Sequence, residues 1–271
     1  MNKYPNKTKR IGFWKVYEQA NIKDFRKVWD TALDLVSGSK IPFKFSNLGR
    51  KPNLSREEYV CMGIIHVYFN LDFRETENMV GLLTGKSLDH SNCVRGFGRL
   101  ILSYINELVF KIHSEIIGID DSGDYIADST KVACDRLKPK EKAGEDLFYH
   151  DTWKLHVLVQ YLSMLGFLSV VSIFATNGEA SDSPILRNEL LNKDKVEEGK
   201  KCHADKGYFG KENIKECKNC KLIPNIVPQE KEYSDANLKR YIKREYDNEA
   251  RKKNRGLVEG FFGGLKQKLT W

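Results

Sequence analysis

The stretch Gly123-Asp124-Tyr125-Ile126-Ala127-Asp128-Ser129-Thr130 limits what this chain can fold into more than any other. Tyr125, Ile126 and Ala127 form an apolar run behind a glycine, which suits a strand covered on both faces. Asp128 ends that run. Burying a lone carboxylate is costly or shifts its pKa, so such a residue needs something to pair with. The carboxyl edge of the strands is also where open α/β folds place their ligands. Asp128 is therefore a candidate metal or substrate carboxylate. A strand-end aspartate also serves as a turn or cap residue, so the assignment depends on whether other stretches answer it.

With 271 residues, 41% hydrophobic and 30% charged, the chain is long enough for one sizeable core plus a small accessory domain. No apolar run reaches the ~18 residues of a membrane span, and the polar start Met1–Lys7 lacks the apolar core of a signal peptide. A cytoplasmic, nucleoid-associated protein is expected. Cys61, Cys93, Cys134, Cys202, Cys217 and Cys220 are then free thiols. The net charge of +8 is the footprint of a nucleic-acid partner, although an ordinary basic cytosolic protein can carry the same balance.

Residues 1–117 read as a helical N-terminal region. Phe25, Val28, Trp29, Leu33 and Val36 share one helical face, and Gly38 to Asn53 reads as a loop. Ser55 is an N-cap followed by Glu57, Glu58 and the apolar run Tyr59–Phe69. Asp72 starts another helix that ends near Gly85, and Asp89 starts a third that runs through Leu108. A glycine-containing turn before the third helix allows a helix-turn-helix in which Ser91, Asn92, Arg95 and Arg99 face DNA. A plain helical bundle has the same periodicity.

From 118 to 271 strands and helices alternate, which predicts an α/β domain with a mixed sheet and flanking helices. After the Asp128 strand, Lys131 to His150 reads as a long charged loop. Thr152–Tyr161 and Phe167–Ala175 form an antiparallel meander turning at Gly166. A helix over Pro184–Leu191 takes Ser183 as N-cap. A short fourth strand ends, like the first, in an aspartate, Asp205, and Leu222–Val227 is a fifth strand. Cys217-x2-Cys220 has the spacing of a zinc half-site, but Cys202 and His203 are adjacent rather than separated, so two free thiols at a helix end is the reading adopted.

The last helix carries the third acid. At about 100° per residue from Arg255, Glu259 falls near ~40° and Lys266 near ~20°, beside an apolar stripe of Val258, Phe262, Leu265 and Leu269. Gly256, Gly260, Gly263 and Gly264 weaken this helix by about 1 kcal/mol each relative to Ala. They make sense if backbone or a ligand approaches closely. Two strand-end aspartates and a glutamate on a covering helix are the carboxylates that two-metal phosphoryl transfer requires. Asp124 shares the Asp128 face but lies ~13 Å away, at the wrong end of the strand.

The blocks Asp128-Ser129-Thr130, Ala204-Asp205-Lys206-Gly207-Tyr208 and Arg255-x3-Glu259-x6-Lys266 resemble, in order, the signature blocks of DDE transposases. The match is to the prokaryotic insertion-sequence group whose last block reads Y-x2-R-x3-E-x6-K. Lys154-Leu155-His156 and Asn177–Ser183 fall where that family has a strand and a polar loop, and Ser55–Leu100 is similar to its DNA-binding-like helical region. The resemblance covers roughly residues 50–271. It implies an RNase H-like catalytic domain in which Asp128, Asp205 and Glu259 are the catalytic, metal-binding triad for two Mg²⁺ (or Mn²⁺) ions. Arg255 and Lys266 would contact DNA phosphate, with Lys206 and Tyr208 beside Asp205 at the transposon end. The implied activity is cleavage of the element's ends followed by strand transfer, by a homodimer on DNA. Lys252 stands where the signature has Tyr, and the chain ends at Trp271, soon after Lys266, so a shortened, decayed copy is among the expectations. An RNase H-like nuclease or resolvase, and a silent DNA-binding derivative, are the alternatives.

Overall fold

A computed structural model describes residues 24–41, 52–98, 100, 102–117, 123–140, 147–163, 165–229 and 235–269. The chain divides into two compact units, Met1–Leu108 and Val109–Trp271.

The first unit is built from helices among its described residues. These are α1 (residues 24–36), α2 (Arg56–Tyr68), α3 (Phe73–Thr84), α4 (His90–Phe97) and the start of α5 (Leu102–Ile117). Local chemistry sets their ends. Ser55 and Glu58 close a capping box at the start of α2, and Asp72 and Glu75 do the same for α3. Gly85, at φ 70°, stops α3 in the left-handed conformation. Asp89 accepts the Ser91 N–H at 2.8 Å to start α4. Trp29, Val36, Tyr59, Met62, Ile65, Val80 and Tyr104 fill the core. The α2–α4 approach requires Gly96, where a Cβ would overlap the Tyr59 ring. The third helix does not run on to Leu108 as its periodicity predicts. It ends at Phe97 and a new helix begins at Leu102, since Gly96 and Gly98 cost helix stability where the apolar pattern is still helical.

The second unit holds β1 (Tyr125–Lys140), β2 (Leu147–Leu162), β3 (Phe167–Asn177), β4 (Lys201–Ala204) and β5 (Ile223–Ile226) in the order β3-β2-β1-β4-β5. The β3-β2-β1 half is antiparallel, while β4 and β5 continue it in parallel. This five-stranded mixed sheet with flanking helices is consistent with the RNase H-like architecture. The meander and the fourth and fifth strands lie where the sequence puts them. The loop expected over 131–150 is largely strand instead: β1 and β2 pair outward to Lys140 and Leu147 across a register shift between Ala133 and Leu137. Charge and Pro139 argue for a loop, but ladder bonds use backbone groups, which a polar side chain leaves free to pair.

Each face of the sheet has its own core. Tyr125, Ala127, Leu158, Val171, Cys202, Ala204 and Ile226 pack under α6 (Asp182–Ile185, continuing as a π-helical turn Leu186–Leu190), α7 (Lys211–Asn219) and α8 (Ala236–Arg244). Ile126, Val157 and Val159 pack under Val258 and Phe262 of α9 (Asn248–Leu269). The helix after β3 starts earlier than expected. Ser181 is its N-cap, and Asp182 rather than Pro184 opens the first turn. The hydroxyl of Ser183, the expected cap, instead accepts a hydrogen bond from Asn213 Nδ2 at 3.1 Å.

Candidate active site

Strand alternation builds the site. Ile126 faces α9, and Asp128, two residues on, falls on the same side. Parallel pairing of β1 with β4 ends at Ala127↔Ala204. Asp128 and Asp205 are therefore the next residues on neighbouring strands, 77 positions apart in the chain and side by side at one sheet edge. With Asn254, Arg255, Val258 and Glu259 of α9 they line a cleft of about 160 Å³.

The electrostatics of the cleft are unbalanced. Asp128 is pushed up to about 6, first by burial and then by the negative charges of Asp205 and Asp182, against the Ser129 N–H (2.8 Å from its Oδ1) and Arg255. Arg255 is a cation facing both aspartates, yet its Nε donates to Glu259 Oε1 at 2.7 Å in an exposed i,i+4 pair. Glu259 is thus engaged along its own helix. Among the described residues no three His, Cys, Asp or Glu side chains converge closely enough to hold a metal ion. The Asp128–Asp205 pair nonetheless fits a hard divalent cation: both are carboxylates, and their mutual repulsion is what a bound positive charge would relieve.

Asp124 has a different task. It accepts the Lys201 N–H at 3.0 Å and meets His203 Nε2 at 3.1 Å. Burial works against its charge, but these two bonds, with the charges of His203 and Lys201, lower its pKa overall. Asn225 donates from Nδ2 to His203 Nδ1 (2.9 Å) and to the Asp247 carbonyl (2.8 Å), and its Oδ1 accepts the Asp247 N–H (2.8 Å). Asp247 immediately precedes α9 and accepts the Ala250 N–H at 3.1 Å. This part-buried relay ties β1, β4 and β5 to the root of the helix that carries Glu259.

Other expected site residues are placed variously. Lys206 is exposed beside Asp205. Tyr208 is 1% exposed and packs in the core, so its ring is not offered to a DNA surface. Arg95 is exposed, and its guanidinium bonds Ser91 O and Oγ in its own helix. Arg99 and the Lys266 side chain lie outside the described residues. Lys252, at the signature Tyr position, pairs with Glu249 at 3.1 Å. Among the described residues nothing comes within 4 Å of a Cβ built at any of the four α9 glycines, so close packing of backbone does not account for them. Cys202, Cys217 and Cys220 are buried without disulfides.

Sequence reasoning missed Asn254, which is 7% exposed at the cleft wall, and the group around Asp182. There Lys154 Nζ (2.7 Å), the Ser129 hydroxyl (2.9 Å) and His156 Nδ1 (3.3 Å) all meet Asp182 Oδ1. The signal for that group was Lys154 and His156, two polar side chains that alternation puts on one face of the strand.

Among the described residues no helix is long and apolar enough to cross a membrane. No curated protein and no solved structure shows significant similarity to the chain. The family model described as the transposase DDE domain matches residues 120–271, which is more than half of the chain and includes both strand-end aspartates and α9; the protein belongs to the DDE transposase family.

Proposed function

We propose that the protein is a metal-dependent DNA transposase of an insertion sequence, with Asp128, Asp205 and Glu259 as its catalytic carboxylates. The observation that carries this reading is the placement of Asp128 and Asp205 side by side at the ends of parallel strands, under a helix presenting Glu259 and Arg255. Asp128 and Asp205 would hold Mg²⁺ or Mn²⁺, with Glu259 joining them once it leaves Arg255. When bound, a pair of such ions supplies the Lewis acidity that activates an attacking oxygen and stabilises a leaving one.

The residues of the chain bind and orient the DNA. Arg255, released from Glu259, pairs with a phosphate oxygen, which a guanidinium does bidentately. Lys206 and Lys266 add phosphate contacts, and Arg95 and Arg99 serve the same purpose from the N-terminal unit. Water attacks the phosphorus at the element's end; the P–O3′ bond breaks and leaves a 3′-hydroxyl and a 5′-phosphate. The freed 3′-hydroxyl then attacks a target phosphodiester, forming a new P–O bond and displacing a target 3′-hydroxyl. Two copies of the chain, one on each DNA end, match this chemistry.

Incubating the full chain with Mn²⁺ or Mg²⁺ and the DNA flanking its own gene tests the reading. Cleaved and joined products are expected, lowered at least about a hundredfold in Asp128→Asn, Asp205→Asn and Glu259→Gln. Cleavage without joining would point to a nuclease or resolvase. DNA binding without either would indicate a silent derivative.

A further inference from the structure

The group around Asp182 lies outside the cleft but touches both segments that deliver the catalytic aspartates. On the β1 side, Ser129 is the residue after Asp128 and by alternation faces the opposite way, into the core beneath α6. Its hydroxyl donates to Asp182 Oδ1 at 2.9 Å, while its backbone N–H donates to Asp128 Oδ1 at 2.8 Å. On the β4 side, a Cβ at Gly207, two residues after Asp205, would lie 3.0 Å from Asp182 Oδ2. The carboxylate is thus wedged between the end of β1 and the turn after β4.

Asp182 is itself held. Lys154 of β2 pairs with it at 2.7 Å, with both side chains mostly buried (16% and 19% exposed). His156 stands 3.3 Å from the same oxygen, fixed from its other nitrogen by Thr176 Oγ1 at 2.9 Å. A part-buried ion pair contributes little net stability, because desolvation offsets most of the attraction. Fixing geometry is what such a pair does well. Tying down one loop would require only the Lys154 contact. The additional bond to Ser129 and the close approach to Gly207 connect Asp182 to the site.

We propose that Asp182, anchored by Lys154, is a positioning residue: it fixes the Ser129 hydroxyl, and with it the peptide whose N–H sets the orientation of the Asp128 carboxylate. The inference rests on the reading of Asp128 as a metal-binding carboxylate. Groups that orient a ligand from behind typically change metal affinity 10–100-fold when removed.

The test is Mn²⁺ titration of the full chain, with free Mn²⁺ read by electron paramagnetic resonance and stability followed by urea unfolding. Ser129→Ala and Asp182→Asn are expected to weaken Mn²⁺ binding about tenfold. Ser129→Ala should stay folded, and Ser129→Thr, which restores the hydroxyl, should recover the affinity. Asp128→Asn is the control. If it loses Mn²⁺ while Ser129→Ala and Asp182→Asn stay within about twofold of wild type, the positioning role is overturned and the site assignment stands. If Asp128→Asn binds Mn²⁺ as wild type does, the assignment and the proposal fall together.

Discussion

Replacing Asp128 by Asn should make the metal-free protein more stable while removing its activity. The penalty on the ionised carboxylate can be sized from its surroundings. Burial and the neighbouring Asp205 and Asp182 charges lift Asp128 from the ordinary aspartate range to about 6, which corresponds to about 3 kcal/mol against the charged form. Solvent in the cleft screens part of this, so a gain of about 1–3 kcal/mol is expected for Asp128→Asn at pH 8. The amide oxygen of Asn can still accept the Ser129 N–H, so that bond is retained. The sign with pH follows from proton binding. Between about pH 4 and 6 the folded state holds a proton that the unfolded state has lost, so wild-type stability falls as pH rises through that window and is level above it. The advantage of the variant should therefore be absent below about pH 4, grow to about pH 6 and stay constant above. Urea unfolding of both proteins in EDTA at pH 4, 5, 6 and 8 measures this. Adding Mg²⁺ should narrow the gap, because a ligand of the folded state stabilises only the protein that binds it. A variant that is no more stable than wild type at pH 8 would show that Asp128 is not held at an electrostatic cost.

Three further outcomes follow from the same structure. Asp124→Ala should cost about 2 kcal/mol in urea unfolding, because it strands the Lys201 N–H and the His203 ring nitrogen; an unchanged midpoint would refute the relay. DNA binding should weaken steeply with salt, each neutralised phosphate adding about −0.9 to the slope of log K against log salt, and Arg255→Ala should make the slope shallower by about one such contact. Hydrogen exchange without DNA should be slow over Tyr125–Ala127 and Lys201–Ala204, slow at the α9 root near Ala250, and faster from Glu259 onward; uniform protection along α9 would show that Glu259 is already fixed.

The parts of the fold legible in the sequence were those set by local chemistry. The capping residues Ser55, Asp72 and Asp89, and the apolar runs that end in Asp128 and Asp205, state their roles within a few residues. What was not legible depends on partners distant in sequence. Asp182 opens its helix while its carboxylate is taken by Lys154 and Ser129, so the expected cap at Ser183 is displaced. Tyr208 follows a signature aspartate but turns into the core because its 3₁₀ turn points the ring inward. The four α9 glycines allowed close approach of backbone or of a ligand, and no backbone of the described residues is there; no property of a glycine run says which neighbour it serves. Asn225 carries no signal in the sequence and His203 only a discounted zinc reading, and only the pairing of β4 with β5 reveals the relay.

The alternation along β1 makes the site intolerant of one class of genetic change. Ile126 and Asp128 belong to the α9 side, Tyr125, Ala127 and Ser129 to the other. A one-residue insertion or deletion between Tyr125 and Asp128 would turn the carboxylate into the α6 core and present Ala127 or Ser129 to the cleft. In the outer part of the β1–β2 hairpin, where the ladder already slips between Ala133 and Leu137, a length change leaves that parity untouched. A library of single-codon insertions should thus divide sharply within this one strand, with inactive clones before Asp128 and tolerated ones beyond Ala133.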